Sequence, residues 1–371
     1  VLADDRHLEI ARLVPAEFGR QRPPQPPGGV GTTTHLAQQV LPFLTWDPVV
    51  VEVGASPLAP VVEEPHVVVL LLERDDLRLD ERIEAVERFL DVGRDREVHV
   101  GTVGVYDSPM PTGRSLVSTC VARAALAGNP SDGYGGAVVA VPIDDLAAMA
   151  SVSENERFLV RAGNRDLAQL LQATADAFSE AHGTRPDVTL SASTSIPRSV
   201  GLAGSSALVI AALRALAAWS NHHWDPIELA ELALSVERDR LGIAAGLQDR
   251  LVQAVNRPLS MTFDPVSYQE LTLPNTMTLF VAWNPHGSQP SDTLHRSLRR
   301  RFDAGDPQVE SAMAELAAQA ARAQKAIEQG DMFVLGDAMD QSFDLRASIT
   351  DIDSTQQMLV DLGRAVGAAV N

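Results

Sequence analysis

Ile196–Ala207 reads IPRSVGLAGSSA, and this stretch decides the fold of the larger part of the chain. The β-branched run Val188–Thr194 precedes it, and an alanine-rich helical stretch, Ser205–Trp219, follows. Pro197 stops regular structure because it lacks an N–H, and Gly201 and Gly204 permit backbone angles that a side chain would forbid. The pattern predicts strand, glycine loop, helix. Such a loop aims main-chain N–H groups outward at a helix N-terminus of partial positive charge, which suits phosphate. Ser205 and Ser206 add hydroxyls that can reach phosphate oxygen or a magnesium ion. The plain alternative is a Gly/Ser turn with Ser205 as helix cap. The whole spacing, P-x-x-x-G-L-x-G-S-S-A, favours the phosphate cradle.

Composition sets the frame around that loop. A chain of 371 residues, 45% hydrophobic and 21% charged, is ordinary for a globular protein of two or three domains. Its 49 acidic and 30 basic groups give a net charge of -19, which repels phosphodiester backbones and anionic lipid. No nucleic acid and no membrane is therefore expected as a partner. Lys325 is the only lysine, so a phosphate site here has to rely on N–H groups and arginine. Cys120 is the single cysteine and cannot form an internal disulfide, so nothing requires an oxidising compartment and a cytoplasmic setting is expected. No apolar run approaches the roughly 18 residues of a membrane span.

Residues 22–31 (RPPQPPGGVG) exclude helix and central strand. Short apolar runs predict strands at 49–53, 67–72 and 97–105, with a helix over 80–90, which together suggest a small α/β unit. GGVGTTTH (28–35) has glycines and hydroxyls but lacks the Gly-Lys-Ser/Thr ending of a P-loop, so it is taken as a loop only. SPMPTGR (108–114) is a turn-rich break and marks a domain boundary. Beyond it, strands are predicted at Leu116–Ala127, Val138–Val141, Val188–Thr194 and Leu279–Trp283, with a tight turn over Gly128–Gly136. Helices are predicted at Leu167–Ala181, Ser205–Trp219, Pro226–Arg240, Pro307–Gln329, Met332–Ser348 and Ser354–Val366. Asp225 is the expected N-cap of the third of these, with Pro226 at its first position.

Two carboxylates follow the loop in SVERDRLGIAAGLQDRLVQ, residues 235–253. Glu237 sits before a glycine-containing turn, and Asp249 follows Gly242 and Gly246. A carboxylate can share magnesium with phosphate oxygens as a hard ligand, and a second one can take or orient a hydroxyl proton. A solvated helix charge and a helix N-cap are the plain alternatives for the two.

The loop resembles that of the GHMP kinases, P-x-x-x-G-L-G-S-S-A, with Ala203 intervening between Leu202 and Gly204. The resemblance implies an α+β two-lobe fold: a ribosomal S5-like N-lobe over 115–265 and a ferredoxin-like helical C-lobe over 266–371. Residues 1–114 precede it as an additional small α/β domain without counterpart in ordinary members. That extension is open between a dimerisation unit, a regulatory domain and the remnant of a fused enzyme, and a homodimer stays open with it. The resemblance further implies ATP held at Pro197, Gly201, Leu202, Ala203, Gly204, Ser205 and Ser206, magnesium on Ser206 and Glu237, and Asp249 as the base with Arg123 beside it.

The segment ARAALAGNPSD (122–132) is similar to the sugar-kinase segment G-R-V-N-L-I-G-E-H-x-D. By that resemblance Asp132 is the sugar-binding aspartate and Asn129 stands where galactokinases carry glutamate; Tyr134 is added as a pocket or packing residue. Losing that negative charge suits an acidic sugar. GNPSD, GIAAGLQDR (242–250), NPHGSQPSDTL (284–294) and SFDLR (342–346) resemble the plant-type glucuronokinases. A uronate carboxylate needs a cationic partner, and Arg250, Arg198 and Arg346 are the candidates, since arginine can grip a carboxylate with two parallel bonds. The expected activity is ATP- and magnesium-dependent phosphorylation of the anomeric hydroxyl of D-glucuronate or a relative. The alternatives are another GHMP acceptor (heptose, neutral hexose or cyclitol) and a non-catalytic nucleotide or sugar sensor. Retention of Glu237, Asp249 and Arg123 argues against the sensor. The family's late glycine-rich motif has no match before GRAVGAAVN, so the C-lobe is expected to be truncated ahead of it.

Overall fold

The computed structural model describes residues 9–13, 68–72, 114–275, 277–283 and 292–371. The strands expected at 49–53 and 97–105, the helix at 80–90, the loop at 28–35 and residues 284–291 lie outside them. Among the described residues no helix is long and apolar enough to cross a membrane.

Two sheets organise the described residues. The first has six strands: β3 (Ser115–Ala127), β4 (Ala137–Glu154), β5 (Leu159–Arg161), β6 (Val188–Thr194), β7 (Leu259–Phe263) and β8 (Val266–Glu270). They run in the order β5-β6-β4-β7-β8, with β3 paired to β4. β4 is far longer than its predicted core at Val138–Val141. Asp144 and Asp145 interrupt the hydrophobic pattern there, but the pairing jumps from Val121↔Ala147 to Ala122↔Ile143. A bulge thus carries both exposed acids out of the ladder without ending the strand. The sheet also continues through β8 to Glu270, past the division expected at 265, because β7 and β8 form one hairpin.

Helix α1 (Arg165–His182) and the alanine-rich α2 (Gly204–Trp219) cover this sheet. Asn164 caps α1 by accepting from the Leu167 N–H, and Gly183 ends it at φ 85°. α2 is apolar on almost every side and lies in the main core with Val209, Ile210, Leu213 and Leu216 fully buried. Helix α3 (Pro226–Ser235) starts on the expected Asp225 cap, with Glu228 completing a capping box. The predicted helix to Arg240 instead ends in a wider π turn, Val236–Arg240, which carries Glu237 inward. Helix α4 (Gln248–Val255) then returns against β3.

The second sheet has the order β1-β9-β2-β10, built from β1 (Glu9–Leu13), β2 (Val68–Leu72), β9 (Thr278–Trp283) and β10 (Ala369–Val370). Both described strands of the segment before residue 114 pair antiparallel with β9, Leu13 opposite Leu279 and Leu72 opposite Thr278. Four helices accompany this sheet: α5 (Asp292–Asp303), α6 (Pro307–Gln329), α7 (Met332–Ile349) and α8 (Ser354–Ala365). α6 and α7 pack on each other, and α7 also reaches β3, which brings its C-terminal half to the turn after that strand.

Candidate active site

The glycine loop between β6 and α2 is pinned by Ile196, Val200 and Leu202, all buried in the main core. Three residues take left-handed backbone angles: Ser199 (φ 57°), Gly201 (φ 79°) and Ala203 (φ 57°). Gly204 does not take such an angle. Its role is close approach, since a Cβ there would lie 3.2 Å from the Ile196 Cγ2. Ser199 and Ala203 instead bear a conformation that costs a non-glycine residue roughly 1–2 kcal/mol. Strain of this kind collects at ligand clamps. Ala203 caps α2 without any side-chain hydrogen bond, and the first turn carries no acidic residue. The helix N-terminus therefore presents unsatisfied N–H groups and an uncompensated dipole, a ready anion site.

The two serines divide. Ser205 is exposed at the mouth of the loop. Ser206 is buried and its Oγ lies 2.6 Å from Gln253 Oε1 and 3.0 Å from the Ala203 carbonyl. Gln253 also donates from Nε2 to the carbonyls of Ala203 (2.9 Å) and Val121 (3.1 Å). One fully buried amide thus ties β3, α4 and the loop together. Sequence reasoning missed Gln253. Its position four residues after Asp249, one helical turn along the same face, was the available signal.

Arg123, on β3, binds Asp249 through Nε at 2.7 Å and Nη2 at 2.5 Å, both to Oδ1. Its Nη1 donates to the Gly201 carbonyl at 3.3 Å. The pair expected from sequence is therefore assembled and fastened to the loop. Asp249 lies in the first turn of α4, and its Oδ2 has only a long contact with Arg250 Nη1, 3.5 Å. Beside it is Asp132, in the tight turn Ser131–Tyr134. Burial pushes the Asp132 carboxyl up to about 7, with repulsion from Asp249 adding to it; Arg123 and the amides of Gln248 and Gly133 oppose the rise. Gln248 Nε2 donates to Asp132 Oδ1 at 3.3 Å, while its Oε1 is buried without a partner among the described residues. Gly246 makes room for this turn, because a Cβ there would sit 2.0 Å from Asp132 Oδ2. A buried acceptor, a carboxyl and a carboxylate thus face one small region, a set suited to binding hydroxyls.

The remaining candidates separate sharply. Arg250 does not stand free for a uronate: it is buried, and its Nε (2.9 Å) and Nη2 both bond Glu237 Oε2, while Nη1 bonds the Gly246 carbonyl. Burial works against its charge, but Glu237 and Asp249 more than offset this and hold its pKa above the usual arginine value. Glu237 correspondingly gives one carboxylate oxygen to an arginine, which sequence spacing did not reveal. Arg198 is an exposed surface cation paired with Asp166 at 3.2 Å. Tyr134 packs on Phe302 with ring centroids 4.6 Å apart, under the Arg299 guanidinium, so its ring secures the turn against α5. Asn129 accepts at Oδ1 from Arg346 Nη1 and from Asn371 Nδ2, each at 3.3 Å. Cys120 is buried, and burial raises its thiol to about 12, so it is an inert core residue.

Comparison with known proteins bears on this arrangement. The model described as the GHMP kinases N terminal domain matches residues 169–256, a span that contains the loop, Glu237 and Asp249. A protein named probable glucuronokinase 2 from Arabidopsis thaliana is 32% identical over 289 residues, 67% of this chain and 79% of that protein. Glucuronokinase 1 of the same plant is 28% identical over 291 residues, with the same coverage. The crystal structure of the Methanococcus jannaschii mevalonate kinase shares the fold, with a TM-score of 0.53 at 14% identity over 70% of this chain and 90% of that one. The chain belongs to the GHMP kinase family and is an ATP-dependent sugar kinase.

Proposed function

We propose that this kinase transfers the terminal phosphoryl group of ATP to the anomeric hydroxyl of D-glucuronate, or a closely related sugar acid, giving the 1-phosphate and ADP. The observation that carries it is the Arg123 bridge, which joins Asp249 to the Gly201 carbonyl and so sets a carboxylate beside an uncapped helix N-terminus. The names of the two plant relatives favour the uronate.

The N–H groups at the start of α2 and the exposed Ser205 hydroxyl hold the triphosphate by its oxygens. Asp249 Oδ2 takes the proton of the acceptor hydroxyl as its oxygen bonds the γ-phosphorus and the bond to the bridging oxygen of ADP breaks. Arg123 orients that carboxylate and places positive charge beside the transferring group. Gln248 Oε1 and Asp132 receive sugar hydroxyls. Phosphoryl transfer asks for little more than such positioning and charge. Magnesium, when bound, would neutralise phosphate charge. Among the described residues no group of three or more acids, histidines or cysteines could hold a metal alone. The donors still fit a shared ion: Ser206 Oγ keeps lone pairs, and both Arg250 bonds to Glu237 fall on Oε2 and not on Oε1. Magnesium takes one or two protein oxygens beside substrate phosphates and water.

A coupled ADP-release assay across D-glucuronate, other uronates, neutral hexoses, heptoses and cyclitols tests the substrate. Asp249→Asn tests the base. It should lower turnover by at least about 10²–10⁴-fold while ATP affinity stays within a few fold. Wild-type turnover in that variant removes the assigned base, and a preference for neutral acceptors removes the uronate.

A further inference from the structure

The strings GNPSD and SFDLR are more than two hundred residues apart in sequence, yet they meet. The Gly128 N–H donates to Ser342 Oγ at 3.3 Å, and the Ser342 hydroxyl donates in turn to the Ala338 carbonyl at 2.8 Å. One helical turn further along α7, Arg346 donates from Nη1 to Asn129 Oδ1 and Asn371 Oδ1, both at 3.3 Å. Its guanidinium also lies 5.4 Å from the Phe343 ring centroid. These partners are neutral amides and an aromatic face. No Asp or Glu side chain among the described residues forms an ion pair with Arg346, and its Nε and Nη2 make no hydrogen bond among them.

A half-buried arginine without a counter-ion is costly, because desolvation penalises its charge and no acid among the described residues repays it. Here burial lowers the guanidinium to about 10, which still leaves it cationic at neutral pH. Other arginines near the site are engaged: Arg123 with Asp249, Arg250 with Glu237, and Arg299 with the Gly133 carbonyl and Asp303, while Arg198 pairs with Asp166 on the surface. The free fork of Arg346 is also close to the sugar-binding turn. Asn129 and Asp132 are three residues apart, so their Cα atoms are separated by at most about 11 Å. Asp132 in turn reaches Gln248 and lies within electrostatic range of Asp249.

We propose that Arg346 is the residue that selects an acidic sugar, its free Nε–Nη2 edge gripping the carboxylate carried on C5 of the pyranose while Asn129 holds its other edge. The proposal rests on the uronate reading above and names the chain's own determinant of it. Two parallel N–H···O bonds are the geometry in which guanidinium recognises carboxylate. The neutral amide at 129 is part of the device. An acid there would pair with Arg346 internally and quench it, whereas Asn129 orients the fork and leaves its charge for the ligand.

The test is steady-state kinetics on the full chain with ATP and D-glucuronate, for wild type, Arg346→Gln, Arg346→Lys and Asn129→Asp, with thermal melts alongside. Arg346→Gln should raise KM for D-glucuronate by about 10²- to 10³-fold, as when one partner of a desolvated charge pair is removed, with KM for ATP within a few fold. Arg346→Lys should recover part of the loss, since the charge returns without the fork. Asn129→Asp, which keeps the arginine and its support, should raise the same KM by supplying an internal counter-ion. It decides the matter if the Arg346 variants fail to fold. A wild type that takes D-glucuronate, with KM unchanged in Arg346→Gln or in Asn129→Asp, overturns this assignment alone. A wild type that binds and phosphorylates no uronate overturns the substrate reading and the assignment with it.

Discussion

Asp132 should make the stability of this protein fall as the pH rises from about 4 to about 7. The residue is 9% exposed, and burial first, then repulsion from Asp249, raises its carboxyl pKa from 3.8 to about 7 on folding. A folded-state value above the unfolded one means that the folded chain binds the proton more tightly. The cost of the ionised form is therefore absent below about pH 4, grows between there and about pH 7, and is full above that. A rise of roughly 3 pKa units corresponds to about 4 kcal/mol at 1.36 kcal/mol per unit, an upper bound for a group that retains some exposure. Asp132→Asn removes the charge and keeps an Oδ1 to accept from Gln248 Nε2. Urea melts of wild type and variant at pH 5, 6, 7 and 8, without nucleotide or sugar, measure the difference directly. The variant's advantage should increase by up to about 2.5 kcal/mol from pH 5 to pH 8, because part of the cost is already present at pH 5. Asp249→Asn should shrink that increase, because the repulsion goes with it. A difference between wild type and Asp132→Asn that is the same at all four pH values would refute the reasoning.

The Arg250–Glu237 pair is buried on both sides, so Arg250→Met should cost about 3–5 kcal/mol by leaving a carboxylate unpaired. Adding Glu237→Leu should recover most of that stability without recovering turnover; chemical denaturation of the single and double variants measures both steps. Gly128 has φ 96°, and a Cβ there would lie 2.2 Å from the Ala137 carbonyl oxygen and 2.8 Å from the Ala320 Cβ. Gly128→Ala should accordingly destabilise by at least about 1–3 kcal/mol through overpacking alone, read as a lowered Tm, and should move the Asn129–Asp132 turn enough to weaken sugar binding.

Patterns confined to one segment were legible before any folding was considered. The strand, loop and helix over Val188–Trp219 were read to within a residue, because β-branched content, Pro197 and the alanine run act locally. The cap at Asp225 and the bounds of α6 were legible for the same reason. The residues of the Arg123–Asp249 pair came from a resemblance, and folding brings them together across 126 positions. Other features depend on neighbours that no local window contains. Asp144 and Asp145 look like the end of a strand until a partner strand absorbs them as a bulge. The segment before residue 114 reads as a separate unit, yet its two described strands both pair with β9, and the second also pairs with β10. Arginine is where the two levels differ most. Sequence left Arg198, Arg250 and Arg346 equivalent, since each carries the same charge on the same side chain. Only the tertiary structure gives two of them counter-ions and, among the described residues, none to the third, because the energy of a charge is set by what surrounds it in space.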